Sequence, residues 1–418
     1  MAHTTDLFRL ASEQYGELGV SVQDALDRLR TIPLSLHAWQ GDDVTGFENT
    51  GHARTGGCQV TGNYPGRARN ADELRQDLDQ TLALLPGDTY RVCLQGHEID
   101  HASPGLDRDA YTLEQFSGWL DWAADRHLGL DIAPAYYSHP KLDAGLSLAH
   151  PDPAIRQFWV DHGKACRRIG AAFGRRLGTP AVCNVWVPDG FKDIPADRTA
   201  PRQRLLQSLD LTFAETFPET ELLDAVESKL FGIGVESYTV NSHEFVMQYA
   251  MKQKILALLD MGHFHLTESV ADKISSFLLA FGKVAFHISR PVRWDSDHVI
   301  RQNDDLRACA QEIVKMGPEN FIVALDYFDA SICRVAAWVL GMRNMQKELL
   351  KAMLTPWKEL KALQDAGEFT AQLVLQEEYK NYPADEVWTE FCKRNGVVAD
   401  ESWLKTVQKY EKDVLLKR

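Results

Sequence analysis

The sequence has no CxxC pair, no GxGxxG motif, no run of 18 apolar residues and no basic tract. Each absence excludes something. Its seven cysteines (Cys58, Cys93, Cys166, Cys183, Cys309, Cys333 and Cys392) are odd in number and scattered. That is no disulfide framework, and it points to a reducing compartment. Without a long apolar run, no helix is expected to span a membrane. Lys plus Arg number 45 against 59 Asp plus Glu, a formal net charge of -14. Nucleic acid and anionic membrane surfaces both attract positive charge, so neither is an expected partner. The opening Met1-Ala2-His3-Thr4-Thr5-Asp6 has no basic region and no apolar region of a secretory signal, so a cytoplasmic protein is expected. The missing glycine motif weighs against a dinucleotide.

What is present is a rhythm. The chain has 418 residues, 44% hydrophobic and 25% charged, the balance of an ordinary globular protein. Short apolar runs stand at 33–39, 91–97, 128–134, 181–187, 222–229, 254–262, 284–290 and 321–329. Most are rich in Val, Ile or Leu, as strands buried on both faces are. Amphipathic helix candidates at 72–86, 154–176, 202–217, 270–281 and 302–316 alternate with them. Strands alternating with helices give a parallel sheet, and eight units predict a closed (β/α)₈ barrel, an α/β fold. The expected division is 1–32 as an N-terminal helical extension, 33–345 as the barrel and 346–418 as a C-terminal helical extension. Between the first strand and the helix at 72 lie glycines 41, 46, 51, 56, 57, 62 and 66. A long glycine-rich loop reads as an active-site cover or as a tolerated insertion, and its two specific flanks, WQGDDVTGFE and TGNYPGRARN, favour the first.

In such a barrel, chemistry sits at the C-terminal ends of the strands. The fifth run ends in Glu227 and Lys229, and the sixth in Asp260, followed by His263 and His265. The seventh carries His287 and leads to Arg293, Asp295 and Asp297, and the eighth ends in Asp326, followed by Asp329. Buried carboxylates at close range are costly unless paired or metal-bound. Lys229 and Arg293 neutralise two of these acids, and a divalent cation neutralises the rest. Oxygen and imidazole donors without thiolates suit Mn2+, Mg2+, Co2+ or Zn2+. Five acids and two histidines exceed one six-coordinate shell, which predicts two ions sharing an acid such as Asp260. Bland readings stand beside these. A lone Asp at a strand end is often a helix cap. His37 and His150 read as structural, and His265 and His298 as solvated. Trp39, Phe47 and Trp186 read first as core; such aromatics also form apolar walls for a sugar ring, and for Trp186 the two readings stand equal.

The segments WQGDDVTGFE, TGNYPGRARN, IRQFWVDH, VWVPDGFKDIPADR, DAVESKLFGIG, LDMGHFH, HISRPVRWDSDH and LDYFDAS resemble those of the bacterial L-rhamnose isomerases, in order and over nearly the whole chain. The resemblance implies a (β/α)₈ barrel with helical extensions, a homotetramer and dependence on Mn2+. It implies a structural ion at Glu227, Asp260, His287 and Asp326. It implies a catalytic ion at His263, Asp295 and Asp297, with Asp260 near both. The implied reaction interconverts L-rhamnose and L-rhamnulose by a metal-assisted hydrogen shift between C1 and C2. Lys229 would stabilise negative charge on the substrate oxygens, and Asp297 and Asp329 are further catalytic candidates. The family has a ring-opening histidine where this chain has Gln95. His97, two residues on, shares that face if the strand continues. The family has Asn where Ala133 and Cys333 stand. These departures leave a related aldose, a metal-dependent sugar epimerase and a non-catalytic sugar-binding protein as alternatives.

Overall fold

The computed structural model describes residues 2–48, 60–103, 105–229, 237–292 and 295–418. Eight parallel strands close into a barrel. They are β1 (Leu34–His37), β2 (Tyr90–Gln95), β3 (Gly129–Ala133), β4 (Ala181–Trp186), β5 (Leu222–Glu227), β6 (Leu256–Asp260), β7 (Val284–Ile288) and β8 (Phe321–Leu325). Each strand neighbours the next in sequence, and β1 closes the ring on β8. All eight coincide with the predicted apolar runs. β1, β6 and β7 are buried at every position, the mark of strands covered by helices outside and packed side chains inside.

A helix follows each strand. Local sequence sets their ends. Asn70 accepts a hydrogen bond from the Glu73 amide at the start of Ala71–Leu82, and Asn303 from the Leu306 amide at the start of Asp304–Lys315. Asp152 caps Pro153–Leu177, with proline in the first turn, and Gly178 ends it in the left-handed region at φ 71°. The predicted helices at 72–86, 154–176, 202–217, 270–281 and 302–316 appear as Ala71–Leu82, Pro153–Leu177, Thr199–Thr212, Ala271–Phe281 and Asp304–Lys315. Two helices, Ala2–Glu17 and Val22–Arg30, precede β1. After β8 the long Arg334–Met353 helix runs unbroken through residues 345 and 346. Four more helices follow, Trp357–Asp365, Phe369–Glu378, Ala384–Arg394 and Trp403–Asp413.

Among the described residues no helix is long and apolar enough to cross a membrane. The six described cysteines are all free and buried. Of the glycine-rich loop, residues 49–59, with Gly51, Gly56, Gly57 and Cys58, lie outside the described residues, as does Arg293.

Candidate metal and sugar site

Strand register assembles the site. Asp260 on β6 pairs with His287 on β7, so carboxylate and imidazole stand side by side. Leu36 on β1 pairs with Leu325 on β8, which sets the next residues, His37 and Asp326, against each other. Trp186 on β4 pairs with Glu227 on β5. The strand ends surround a cavity lined by Trp39, Gln95, Asn184, Trp186, Glu227, His263, His287, Asp295, Asp297 and Asp326 among others.

The polar side of the cavity is crowded. His287 Nδ1 faces three carboxylates, at 3.2 Å from Asp326, 3.3 Å from Glu227 and 3.5 Å from Asp260. One nitrogen satisfies at most one of them well. His263 lies between Glu227 and Asp295, with its two nitrogens 3.1 Å from each. His37 Nδ1 is 3.1 Å from Asp326, and the Trp39 indole N–H donates to the same carboxylate at 3.0 Å. The Gly262 amide donates to Asp260 at 2.6 Å. Gly262 leaves room for this packing, because a Cβ there would stand 2.3 Å from Asp295 Oδ1.

The electrostatics follow from this crowding. Burial lowers the basicity of His263 and His287, but the facing acids outweigh it and raise both well above the usual imidazole range. Burial opposes ionisation of Glu227 and Asp326, yet His287 and His263 pull Glu227 down to about 2. His37 and His287 carry Asp326 below the ordinary carboxylate range. Burial raises Asp260 to about 6. Burial, then Asp295, Asp326 and Asp260, push Asp297 well above its usual value. The cluster therefore draws positive charge from any source, and without a cation its imidazoles supply it as protons.

A divalent cation fits these residues. Glu227, Asp260 and His287 offer donor atoms within 4.8 Å of one another, as do Asp260, His263 and Asp295, and His37, His287 and Asp326. Asp260 belongs to two of these groups. His37 Nδ1, His263 Nδ1, His287 Nδ1 and Asp260 Oδ2 are buried without an aligned hydrogen bond. Oxygen and imidazole atoms that converge without satisfying one another are the donor set of a hard or borderline divalent ion.

The remaining wall is apolar, formed by Trp39, Val44, Tyr137, Trp186 and Phe328. Gln95 Oε1 and the Trp186 indole nitrogen are buried on that wall without a partner. Of the residues singled out from sequence, Glu227, Asp260, His263, His287, Asp295, Asp297 and Asp326 come together, joined by Trp39, Gln95 and Trp186. Others do not line the cavity. β2 ends at Gln95, so His97 does not continue its face. His97 is buried, with Nδ1 3.2 Å from Arg108, and burial with that guanidinium lowers its pKa well below the usual value. Phe47 packs on the main core and donates its backbone N–H to His97 O. Asp329 accepts the Ser331 amide and hydroxyl, the geometry of a turn. β5 stops at Glu227, so Lys229 leaves the strand face and donates from Nζ to Pro188 O at 2.6 Å. His37 and Asn184 were not assigned to the site from sequence. Asn184, which donates to Glu227, sits inside an apolar strand, where a lone amide is a signal in hindsight.

The sequence matches the family described as L-rhamnose isomerase (RhaA) over residues 3–418. It is 50% identical over 412 residues to an L-rhamnose isomerase of Salmonella paratyphi A, covering 98% of each chain. The same figures hold for the L-rhamnose isomerase of Salmonella typhimurium. Among solved structures, an L-ribulose 3-epimerase superposes with a TM-score of 0.47 at 14% identity, over 76% of this chain and 95% of its own. The chain belongs to the L-rhamnose isomerase family.

Proposed function

We propose that the protein is a metal-dependent aldose–ketose isomerase that interconverts L-rhamnose and L-rhamnulose. The reading joins family membership to one observation. An acid and imidazole cluster that fits divalent cations forms one side of a cavity at the barrel mouth whose other side is apolar.

Glu227, Asp260, His287 and Asp326 would hold one ion, and His263, Asp295 and Asp297 a second, with Asp260 between them. Bound there, the ions supply Lewis-acid polarisation of the oxygens on C1 and C2. Everything else falls to the chain. Trp39, Val44, Tyr137, Trp186 and Phe328 exclude water and pack the apolar side of a 6-deoxy sugar, whose C6 is a methyl group. Gln95 Oε1 and the Trp186 indole N–H, both without a protein partner, orient sugar hydroxyls. Asp297 takes the O2 hydroxyl proton and returns it to O1, while the C2 hydrogen passes to C1 as hydride. Lys229, held to Pro188 O outside the cavity lining with its ammonium 6.0 Å from the Trp186 ring centre, adds positive potential from behind that wall. Gln95 carries no titratable proton and His97 is held neutral against Arg108, so ring opening falls to water. We further propose Mn2+ as the metal, with Mg2+, Co2+ and Zn2+ as competitors, a homotetrameric assembly and a cytoplasmic location.

The test follows ketose formation by metal-stripped protein from L-rhamnose, L-mannose, L-lyxose and D-allose, before and after Mn2+ is added. Turnover restored by Mn2+, with L-rhamnose preferred, is expected. No turnover on any sugar with metal bound would sink the isomerase reading.

A further inference from the structure

The chain returns from the glycine-rich loop along residues 60–66, ahead of the Ala71–Leu82 helix. Two anchors of this limb come from the barrel. Its backbone pairs with Ala330, whose N–H donates to Thr61 O at 3.2 Å and whose carbonyl accepts from Tyr64 N at 2.7 Å. Gly62, at φ 119°, allows that approach, since a Cβ there would lie 2.2 Å from the Ala330 carbonyl carbon. Arg334 donates to Tyr64 O at 2.9 Å and grips Asp43 through Nε and Nη2 at 2.6 and 2.8 Å.

The third anchor comes from outside the barrel. The Tyr64 hydroxyl donates to Glu411. Leu415 packs against Gly66, where a Cβ would lie 2.5 Å from the leucine Cβ. Arg418 donates to Gly66 O at 3.1 Å and forks onto Asp77 at 2.6 and 2.8 Å. The Tyr410 hydroxyl donates to the same carboxylate at 2.6 Å. Asp77 is 1% exposed, so its charge depends on these two partners. At the other end of the limb, Val60 packs against the buried apolar cluster that contains Trp39, Val44 and Tyr137, as Trp186 and Phe328 also do. Those five side chains line the cavity.

We propose that Tyr410, Glu411 and Arg418 are positioning residues for sugar binding, fixing through Asp77, Tyr64 and Gly66 the limb whose Val60 backs the apolar cavity wall. None of the three lines the cavity, so the effect is on substrate affinity and not on the chemical step. The kinetic readout rests on the isomerase reading above.

The experiment compares Arg418→Ala, Arg418→Lys and Tyr410→Phe with the wild type, all metal-loaded and assayed well below their melting temperatures. In Arg418→Ala, KM for L-rhamnose is expected to rise about tenfold with kcat held within about twofold, the pattern of lost uniform binding. Tyr410→Phe raises KM about twofold. Arg418→Lys falls between, because an ammonium keeps the charge but not the fork. Bound metal stays unchanged, and amide hydrogen exchange at residues 60–66 accelerates. A folded Arg418→Ala with wild-type KM, whatever its melting temperature, overturns the proposal. If Arg418→Ala does not fold, Tyr410→Phe decides by the same criterion. If the wild type does not turn over L-rhamnose, the isomerase reading fails separately. The positioning claim is then judged by exchange at 60–66, where wild-type rates in the variants overturn it.

Discussion

At the scale of single residues, the site depends on neighbours that orient donors. Asn184 is 3% exposed and donates to the Glu227 carboxylate, which also faces His263 and His287. Such outer partners typically contribute about 10–100-fold to metal affinity, by fixing the direction of a ligand's lone pairs. Asn184→Ala is therefore expected to weaken metal binding by about that factor while the fold persists. Titration of the stripped protein with Mn2+ measures it. Wild-type affinity in the variant would mean that the imidazoles alone orient Glu227.

Elements set the precision of the site. The four strands β5 to β8 stop at about one level, and their register aligns the acids with the imidazoles. The turn after β6 is the tightest part. Met261-Gly262 carries the chain from Asp260 to His263, and the Gly262 backbone lies against Asp295. In Gly262→Ala, the new methyl meets Asp295 Oδ1 and drives that carboxylate from Asp260 and His263. We expect the Asp260, His263 and Asp295 group to lose its ion, with bound metal falling from two equivalents towards one. Activity falls by at least about tenfold, from a displacement of about 1 Å in the reacting geometry. Elemental analysis after dialysis reads the stoichiometry. Two retained equivalents with full activity would show that the turn has slack. Arg108 does related work on the opposite side of the rim. It is 1% exposed and donates to Ala135 O, Tyr137 O and the Glu48 carboxylate, tying the loops after β1 and β3.

Over the whole molecule, the same guanidinium shapes acid stability. His97, His139 and His162 are lowered by burial first and then by Arg108, His162 to about 3. In the unfolded chain each titrates near 6.5. The stability they confer is complete above about pH 6.5. As pH falls below it, the unfolded state binds protons that the folded state refuses, so stability drops until the folded pKa is reached. Each such imidazole steepens the loss by up to about 1.4 kcal/mol per pH unit, less for His139, where the Asp107 carboxylate at 2.9 Å offsets part of the lowering. Denaturant unfolding at pH 7, 6 and 5, with metal chelated throughout, measures the slope. A shallower slope in His139→Asn is expected. Equal slopes would mean that this imidazole titrates alike in both states.

The sequence by itself determined the architecture and the rim. Period and composition decide where strands buried on both faces lie, and an alternating β/α order leaves a closed parallel barrel as the solution. That closure sends Glu227, Asp260, His287 and Asp326 to one end, since strand ends share a level whatever the side chains are. Only the tertiary structure decided which groups meet. His37 reads as a core histidine because its partner, Asp326, is at the far end of the chain, and ring closure of β1 on β8 joins them. His97 and Lys229 each sit two residues beyond a residue that lines the cavity, so alternation places them on its face. The strands end first, and the chain turns each away, to Arg108 and to Pro188 O. The Asp77–Arg418 pair joins two helical segments whose periodicity shows only amphipathic faces. Local pattern decides elements because backbone and burial preferences act over a few residues. Side-chain encounters between distant segments depend on register and closure, which no single segment contains.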